Sequence, residues 1–538
     1  MKRIISVILV LVLMAGLSSF AFGEEENWTY SNGHENPSEN LFCGKCGEKK
    51  PQEGTWTCSN GHENPVEHNF CSVCGEAQPA ASDADQTDIA WKEPFENEEY
   101  ETAFPLVQEA SDKGNIEATA ALAMYYIYGY GETEKDFDKG LELAQKAADA
   151  GNARGMFLVG RCYTNGDGVI QDYKKAVEWY QKAADAGDSW AMNNLGRLYE
   201  EGNGVIQDYS KALDWYVKSA DAGNEVAARN IATLYMNGDG VTQDDIKALE
   251  WYQKAAELGD AYAMSRIAGM YYSGKGVTKN RDTAIEWYQK AAEAGDIGSM
   301  TVLATSYESG SDVEVDLDKA VYWYQKAVDG GSFMAMVNLG NLYYNGIGVE
   351  KDEKRALELF QQSADLGNNL AMEKVGLCYK FGIGTTVDYD KAKEWLEKAA
   401  DAGNTGAMVD IGDLYSDGLG VTKDYATAMS WYMKAADAGD SNAMVRIGFA
   451  YNNGFGVSKN YVEAFNWYQK AADAGNAVAM YNIGIYYLQG FTVKQNNKEA
   501  LNWLGKAAEA GYEPAKDTIK EMVQYNYISA ADAAQWLD

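Results

Sequence analysis

From residue 115 onward, apolar and small residues recur at helical spacing in two runs per repeat, with polar positions between them. In the stretch DSWAMNNLGRLYEEGNGVIQDYSKALDWYVKSADAG, which ends at Gly223, Ala191, Leu195, Leu198 and Tyr199 form one stripe. Ala212, Trp215, Tyr216 and Ala220 form a second. Gly202, Gly204 and Asp208 lie between them; the glycines allow positive φ, and the acid can cap the helix that follows. The pattern predicts a helical hairpin. Gly114, Gly151, Gly187, Gly223, Gly259, Gly295, Gly331, Gly367, Gly403, Gly439, Gly475 and Gly511 mark the unit boundaries, 37 residues apart once and 36 thereafter. Neither stripe can be buried within one hairpin, so the units must stack into an all-α solenoid of about eleven hairpins.

Tyr199 and Trp215 head columns that recur through the array, for example at Tyr163, Tyr235, Trp179 and Trp251. Aromatics repeated at one helical phase read as core. An acid two residues before most ruler glycines, as at Asp149 and Asp185, reads as a solvated helix end. A lysine three residues earlier, as at Lys146, Lys182, Lys218, Lys254 and Lys434, is expected to offset it weakly.

The string LGxLYxxGxGVxxDYxKAxxWYxKAADAG resembles the Sel-one-like repeat, a relative of the tetratricopeptide repeat with a longer inter-helix loop. The resemblance covers residues 115–511. It implies a right-handed α/α superhelix that serves as an adaptor or scaffold for other proteins. The loops GSDVEVD from Gly310 and GFTVKQN from Gly490 lack the second glycine, which puts their geometry in question. Residues 99–114 are expected to form an N-terminal capping helix, and 512–538 a closing cap.

Before the array stand two other kinds of sequence. Residues 1–23 carry Lys2 and Arg3, an apolar run from Ile4 to Leu17 and small residues up to Gly23, the pattern of a cleavable secretory signal. The expected location is therefore extracytoplasmic, secreted or in the cell envelope; a retained segment would act as an anchor. Residues 24–79 repeat with period 28: WTYSNGHENPSENLFCGKCGEKKP aligns without gaps on WTCSNGHENPVEHNFCSVCGEAQP. The second copy offers Cys58, His62, Cys71 and Cys74, a donor set suited to tetrahedral zinc. It resembles small zinc-ribbon modules, which usually carry a second cysteine near the place of Asn60 or Gly61, so that His62 must substitute. The first copy has His34, Cys43 and Cys46, with Tyr30 in the fourth place. Cys43 and Cys46 could instead share a metal with Cys58 and His62. Disulfides are the rival reading in an exported chain, but the histidines repeat in register with the cysteines and favour structural zinc. Residues 80–98 read as a linker.

The chain of 538 residues is too long for one core, which a repeat array does not require. A net charge of −34 argues against nucleic acid and anionic membrane surfaces as partners. The solenoid has no histidine, and its two cysteines, Cys162 and Cys378, fall in one buried-looking column six units apart. An enzyme is therefore not expected.

Recognition must come from positions that vary between units. Columns six, ten and thirteen residues after each ruler glycine are expected, by resemblance to tetratricopeptide repeats, to face the groove. They include Arg161, Asn193, Arg197 and Arg229 early, then Val409, Val445, Phe449, Tyr481 and Ile485 late. That gradient suits a protein or peptide partner bound by a monomer. Packing against adjoining helices is the competing explanation of the apolar residues. Glycan recognition through exposed aromatics such as Tyr272 and Tyr344 is the second function class. By contrast, the asparagine that recurs in column seven, as at Asn194, Asn230, Asn338 and Asn482, is assigned to structure. Metal analysis of the isolated segment from Glu24 to Ala80 is expected to find bound zinc; a metal-free segment would remove the zinc assignment.

Overall fold

The computed structural model describes residues 90–537 and four short strands before them. Strand β1 (Trp28–Thr29) pairs antiparallel with β2 (Glu35–Asn36), and β3 (Thr55–Thr57) with β4 (Glu63–Pro65). Trp28 faces Asn36 as Trp56 faces Asn64, so the period-28 repeat forms the same hairpin twice in the same register. The expected signal peptide and metal ligands lie outside the described residues.

The ordered helices begin earlier than the expected linker allows. Trp91 is buried and a short helix spans Lys92–Glu96, ahead of the capping helix Tyr100–Asp112. The reason is aromatic: Phe95, Tyr100 and Phe104 pack around buried Tyr125 at centroid distances of 5.8, 5.9 and 5.1 Å. The Tyr125 hydroxyl donates to the Tyr100 carbonyl at 2.9 Å, and burial pushes this phenol up to about 12.

From Ile116–Met124 to Asn497–Glu509 the chain forms eleven successive helix pairs; a five-residue π-helix, Tyr125–Gly129, follows the first helix, and each α-helix from Phe137–Asp149 to Asn497–Glu509 has 13 residues. Length is set at both ends of each helix. Asp188 accepts the N–H of Ala191 at 2.8 Å to start Ser189–Glu201, and Asp208 accepts that of Lys211 at 3.0 Å to start Tyr209–Asp221. Each such cap is worth about 1 kcal/mol. Gly202 at φ 74° ends the first helix, and the Asp208 N–H bonds the Tyr199 carbonyl at 2.9 Å to close the loop.

Two glycines of each unit do different things. Ruler residue Gly187 has φ 94° and nothing within 4 Å of a built Cβ, so it supplies backbone freedom alone. Loop residue Gly204 has φ 75°, and a Cβ there would lie 2.6 Å from the carbonyl of Tyr173 in the preceding unit. Gly204 thus lets each loop rest on the start of its neighbour's second helix. The two loops without this glycine still close, Asp316 N–H to Tyr307 O at 3.0 Å and Asn496 N–H to Tyr487 O at 2.9 Å. Each has a local substitute. Asp312 pairs with Arg281, the first residue of the preceding unit's second helix, at 2.6 Å, and Phe491 stacks on Tyr461 at 5.0 Å.

The core aromatic is Tyr216 rather than its neighbour Trp215. Tyr216 is 1% exposed and lies under Gly196 of the facing helix, where a Cβ would approach its ring to 2.6 Å. The Tyr199 and Trp215 columns, expected as core, are half-buried at the edge of that cluster. Lysines cover the tryptophans: Lys218 lies 4.1 Å from the Trp215 ring and Lys470 3.9 Å from Trp467. This corrects the expected lysine–acid pairing. Glutamines one turn away hold the acids instead, as Gln181 does Asp185 at 2.8 Å, while Lys254 reaches Asp221 of the unit before at 2.9 Å.

The far end closes with two helices, Glu513–Gln524 and Ala530–Leu537, and the Trp536 indole donates to Glu509 at 2.9 Å. Among the described residues no helix is long and apolar enough to cross a membrane. Cys162 and Cys378 are free and buried, and burial pushes their thiols up to about 12 and about 11.

Two outcomes follow from this packing. Both thiols resist iodoacetamide at pH 8 until the chain is unfolded, as mass spectrometry will show. Gly187→Ala should cost about 1 kcal/mol, from backbone strain alone. Gly204→Ala should cost about 2–3 kcal/mol, because it adds collision with Tyr173. Urea unfolding followed by circular dichroism separates the two, and equal costs would refute the contact.

Candidate functional site

The three variable columns fall on the first helix of each hairpin, where regular caps hold the backbone fixed and leave the side chains to differ. Early in the array those side chains are committed within the chain. Arg161 lies 3.0 Å from Asp167 with its guanidinium 4.4 Å from the Tyr128 ring. Arg229 pairs with the buried cap Asp260 at 2.8 Å. Asn193 is buried and accepts from Asn230 of the next unit at 3.0 Å. Arg197 is exposed, with Glu201 3.9 Å away.

Columns ten and thirteen also answer a need that the sequence pattern hides. The buried tyrosine hydroxyl emerges beneath them and requires a partner. Tyr216 donates to Glu200 and Tyr324 to Glu308, both at 2.6 Å, and Tyr432 to Asp413 at 2.7 Å. Thr164 donates to the Tyr180 hydroxyl at 3.1 Å. Burial first, then the adjacent carboxylates, raise the phenols of Tyr216 and Tyr324 far above their ordinary value, so both remain donors. Two of the recurrent asparagines bond within the helical array: Asn230 donates to Asn193 at 3.0 Å and Asn482 to the Val478 carbonyl at 2.8 Å, which agrees with a structural role.

The late units differ. Val409 and Val445 are half-buried and, with Val478, line a groove of about 390 Å³. Its walls carry Glu373, Asp410, Asp413, Asp440 and Arg446. Phe449, 51% exposed, lines a neighbouring groove of about 230 Å³ with Tyr425, Met429 and Phe455. Tyr425 stacks on Phe455 at 4.8 Å, which gives that groove a rigid aromatic wall. Asp413 and Arg446, paired at 2.9 Å, line both grooves.

The structure therefore gathers Val409, Val445 and Phe449 and separates them from the rest of the expected set. Tyr481 packs on Tyr512 at 5.2 Å and accepts from Thr518 at 3.3 Å, so it belongs with the closing helices. Ile485 is half-buried on the same helix, Ala477–Gln489. Glu373 and Asp413 occupy columns six and ten themselves. Reading those columns for early arginines and late apolar residues passed these two carboxylates over. The exposed rings of Tyr272 and Tyr344 have cations near them, Arg281 at 5.2 Å and Lys351 at 5.7 Å.

The comparisons agree with the hairpin frame. The model of the Sel1 repeat family matches residues 116–152, 153–188, 191–224, 226–260, 261–296, 298–332, 333–368, 369–404, 405–440, 441–476 and 477–512. The crystal structure of c5321, a protective antigen present in uropathogenic Escherichia coli strains and displaying an SLR fold, is 31% identical. It covers 80% of this chain and 91% of that one, with a TM-score of 0.61. A Sel1 repeat protein from Oxalobacter formigenes is also 31% identical, over 58% of this chain and 90% of that one, with a TM-score of 0.46. No curated protein matches. Eleven matched segments that coincide with eleven stacked hairpins make this chain a member of the Sel1 repeat family.

Proposed function

We propose that the protein is an exported, non-enzymatic scaffold whose late repeats dock an extended segment of a partner protein along the first helices. The observation that carries this reading is Phe449: on a capped helix beside two adjoining grooves, it meets the Phe455 ring at 5.9 Å yet stays 51% exposed, and so is left free to anchor a partner. Membership of a family of protein-binding scaffolds supports it. The solenoid winds as a right-handed superhelix and acts as a monomer.

Export rests on the signal pattern of residues 1–23, with cleavage after Gly23. The similarity to a protective antigen accords with that location. The segment 24–79 holds structural zinc on Cys58, His62, Cys71 and Cys74, with His34, Cys43 and Cys46 as the weaker first site. The strand pairing supports this fit: Thr57 faces Glu63, so the ends of the segment carrying Cys58 and His62 are held together. The first copy repeats the arrangement around Tyr30 and His34, with Thr29 facing Glu35.

Phe449→Ala in the intact protein should lower partner capture from the secretome at least about tenfold, with helicity and melting temperature unchanged. Undiminished capture, or capture lost together with the fold, would refute the docking site. Phe449 is tested alone because Tyr481 stabilises the cap.

A further inference from the structure

One residue helps to open the groove over Val409, Val445 and Val478. Column three carries Trp190, Tyr262, Met334 and Leu370 in other units, but Gly406 here. A Cβ on Gly406 would approach the Glu373 carboxylate to 2.6 Å. The glycine thus leaves open the space beside that carboxylate, over an apolar floor contributed by three successive units.

The walls are unequal in charge. Glu373, Asp410, Asp413 and Asp440 face one guanidinium, that of Arg446. Asp410 is neutralised by buried Lys380 at 3.0 Å, and Asp413 by Arg446 at 2.9 Å. The other two have hydrogen bonds but no ion pair among the described residues. Glu373 accepts from the Asn404 amide at 2.8 Å, and Asp440 from the Thr405 hydroxyl at 2.9 Å and from its own helix N-terminus. Desolvation raises the Glu373 carboxyl above its ordinary value, so a cation brought beside it would be stabilised by more than on an open surface.

We infer that this groove receives a lysine or arginine side chain of the docked segment, its aliphatic stem lying on the valines and its charge between Glu373 and Asp440. An apolar or aromatic residue of the same segment enters the Phe449 groove on the other side of the Asp413–Arg446 pair. The partner segment is thus basic and apolar, which reverses the charge that the early arginines suggested. Arg161 and Arg229 are spent on Asp167 and Asp260, while Arg197 stays exposed near Glu201. This inference rests on the late repeats being the docking face.

The test is selection of a random dodecapeptide library on the full chain, followed by titration of the selected peptides. Four variants accompany it: Glu373→Gln, which keeps the Asn404 hydrogen bond; Gly406→Leu, which fills the groove; Phe449→Ala, which removes the anchor; and Asp185→Asn, a control on another unit. Selected peptides should carry lysine or arginine next to an apolar residue. Their affinity should fall at least about tenfold in Glu373→Gln and Gly406→Leu, with unchanged melting, and stay the same in Asp185→Asn. Basic peptides that bind all variants equally are drawn by the net charge of −34 and overturn the inference. Peptides lost on Phe449→Ala but neutral or acidic overturn the inference and leave the scaffold reading standing. A full chain that selects no peptide, or whose peptides ignore Phe449→Ala, overturns both.

Discussion

The contact on which the array depends is the approach of a loop glycine to the neighbouring backbone. Gly204 sits where any side chain would strike Tyr173, and the same contact recurs at Gly240 on Tyr209 and Gly456 on Tyr425. Because the same contact recurs at the same offset, each hairpin takes up the same position on the one before it, and every column counted from a ruler glycine keeps its meaning along the chain. A repeat protein has no central core to average out errors, so the step between units must be specified locally each time. Where the glycine is missing, Asp312 reaches Arg281 and Phe491 stacks on Tyr461, so contact with the preceding helix is kept by other means.

Inside that frame a tyrosine in seven of the eleven units links packing to chemistry; Phe360, Leu396 and Leu504 hold the same place in three others. Glycine or alanine on the facing helix, Gly196 in one unit and Ala232 in the next, admits the ring, and the hydroxyl then needs an acceptor or donor at the surface columns. Part of the variation that looks like recognition therefore records how each unit satisfies its own tyrosine, with glutamate at 200 and 308, threonine at 164 and aspartate at 413. A column that varies is not for that reason free to bind.

The parts that were legible in the sequence are those fixed by backbone geometry. Glycine spacing gave the unit length, and Asp208 was readable as a cap because few residues can both break a helix and satisfy its first N–H groups. Side-chain partnerships were harder, since two residues one turn apart are neighbours whatever they prefer. Lys218 could meet Asp221 or Trp215, and the ring prevails because the lysine stem also covers its apolar face. Similarly, Trp-Tyr adjacency concealed which aromatic points inward; helical phase separates neighbours by about 100°, and only the facing Gly196 decides between them. Trp91 lay hidden in an acidic, polar stretch whose composition reads as linker, although its ring is buried.

The late groove arises from the same logic in reverse. In four other units column three fills the surface with Trp190, Tyr262, Met334 or Leu370, while at 406 a glycine leaves the side of Glu373 uncovered. Gly298 shares the column, yet its built Cβ meets only the Asp296 carboxylate at 3.4 Å, the cap of its own helix. Absence of a side chain is thus not enough to make a site. What distinguishes 406 is the conjunction of a missing side chain, a carboxylate from the preceding unit with no ion pair among the described residues, and valines from three units beneath it. Repetition makes such a conjunction possible, because three independent substitutions in three units meet at one place once the step between units is fixed.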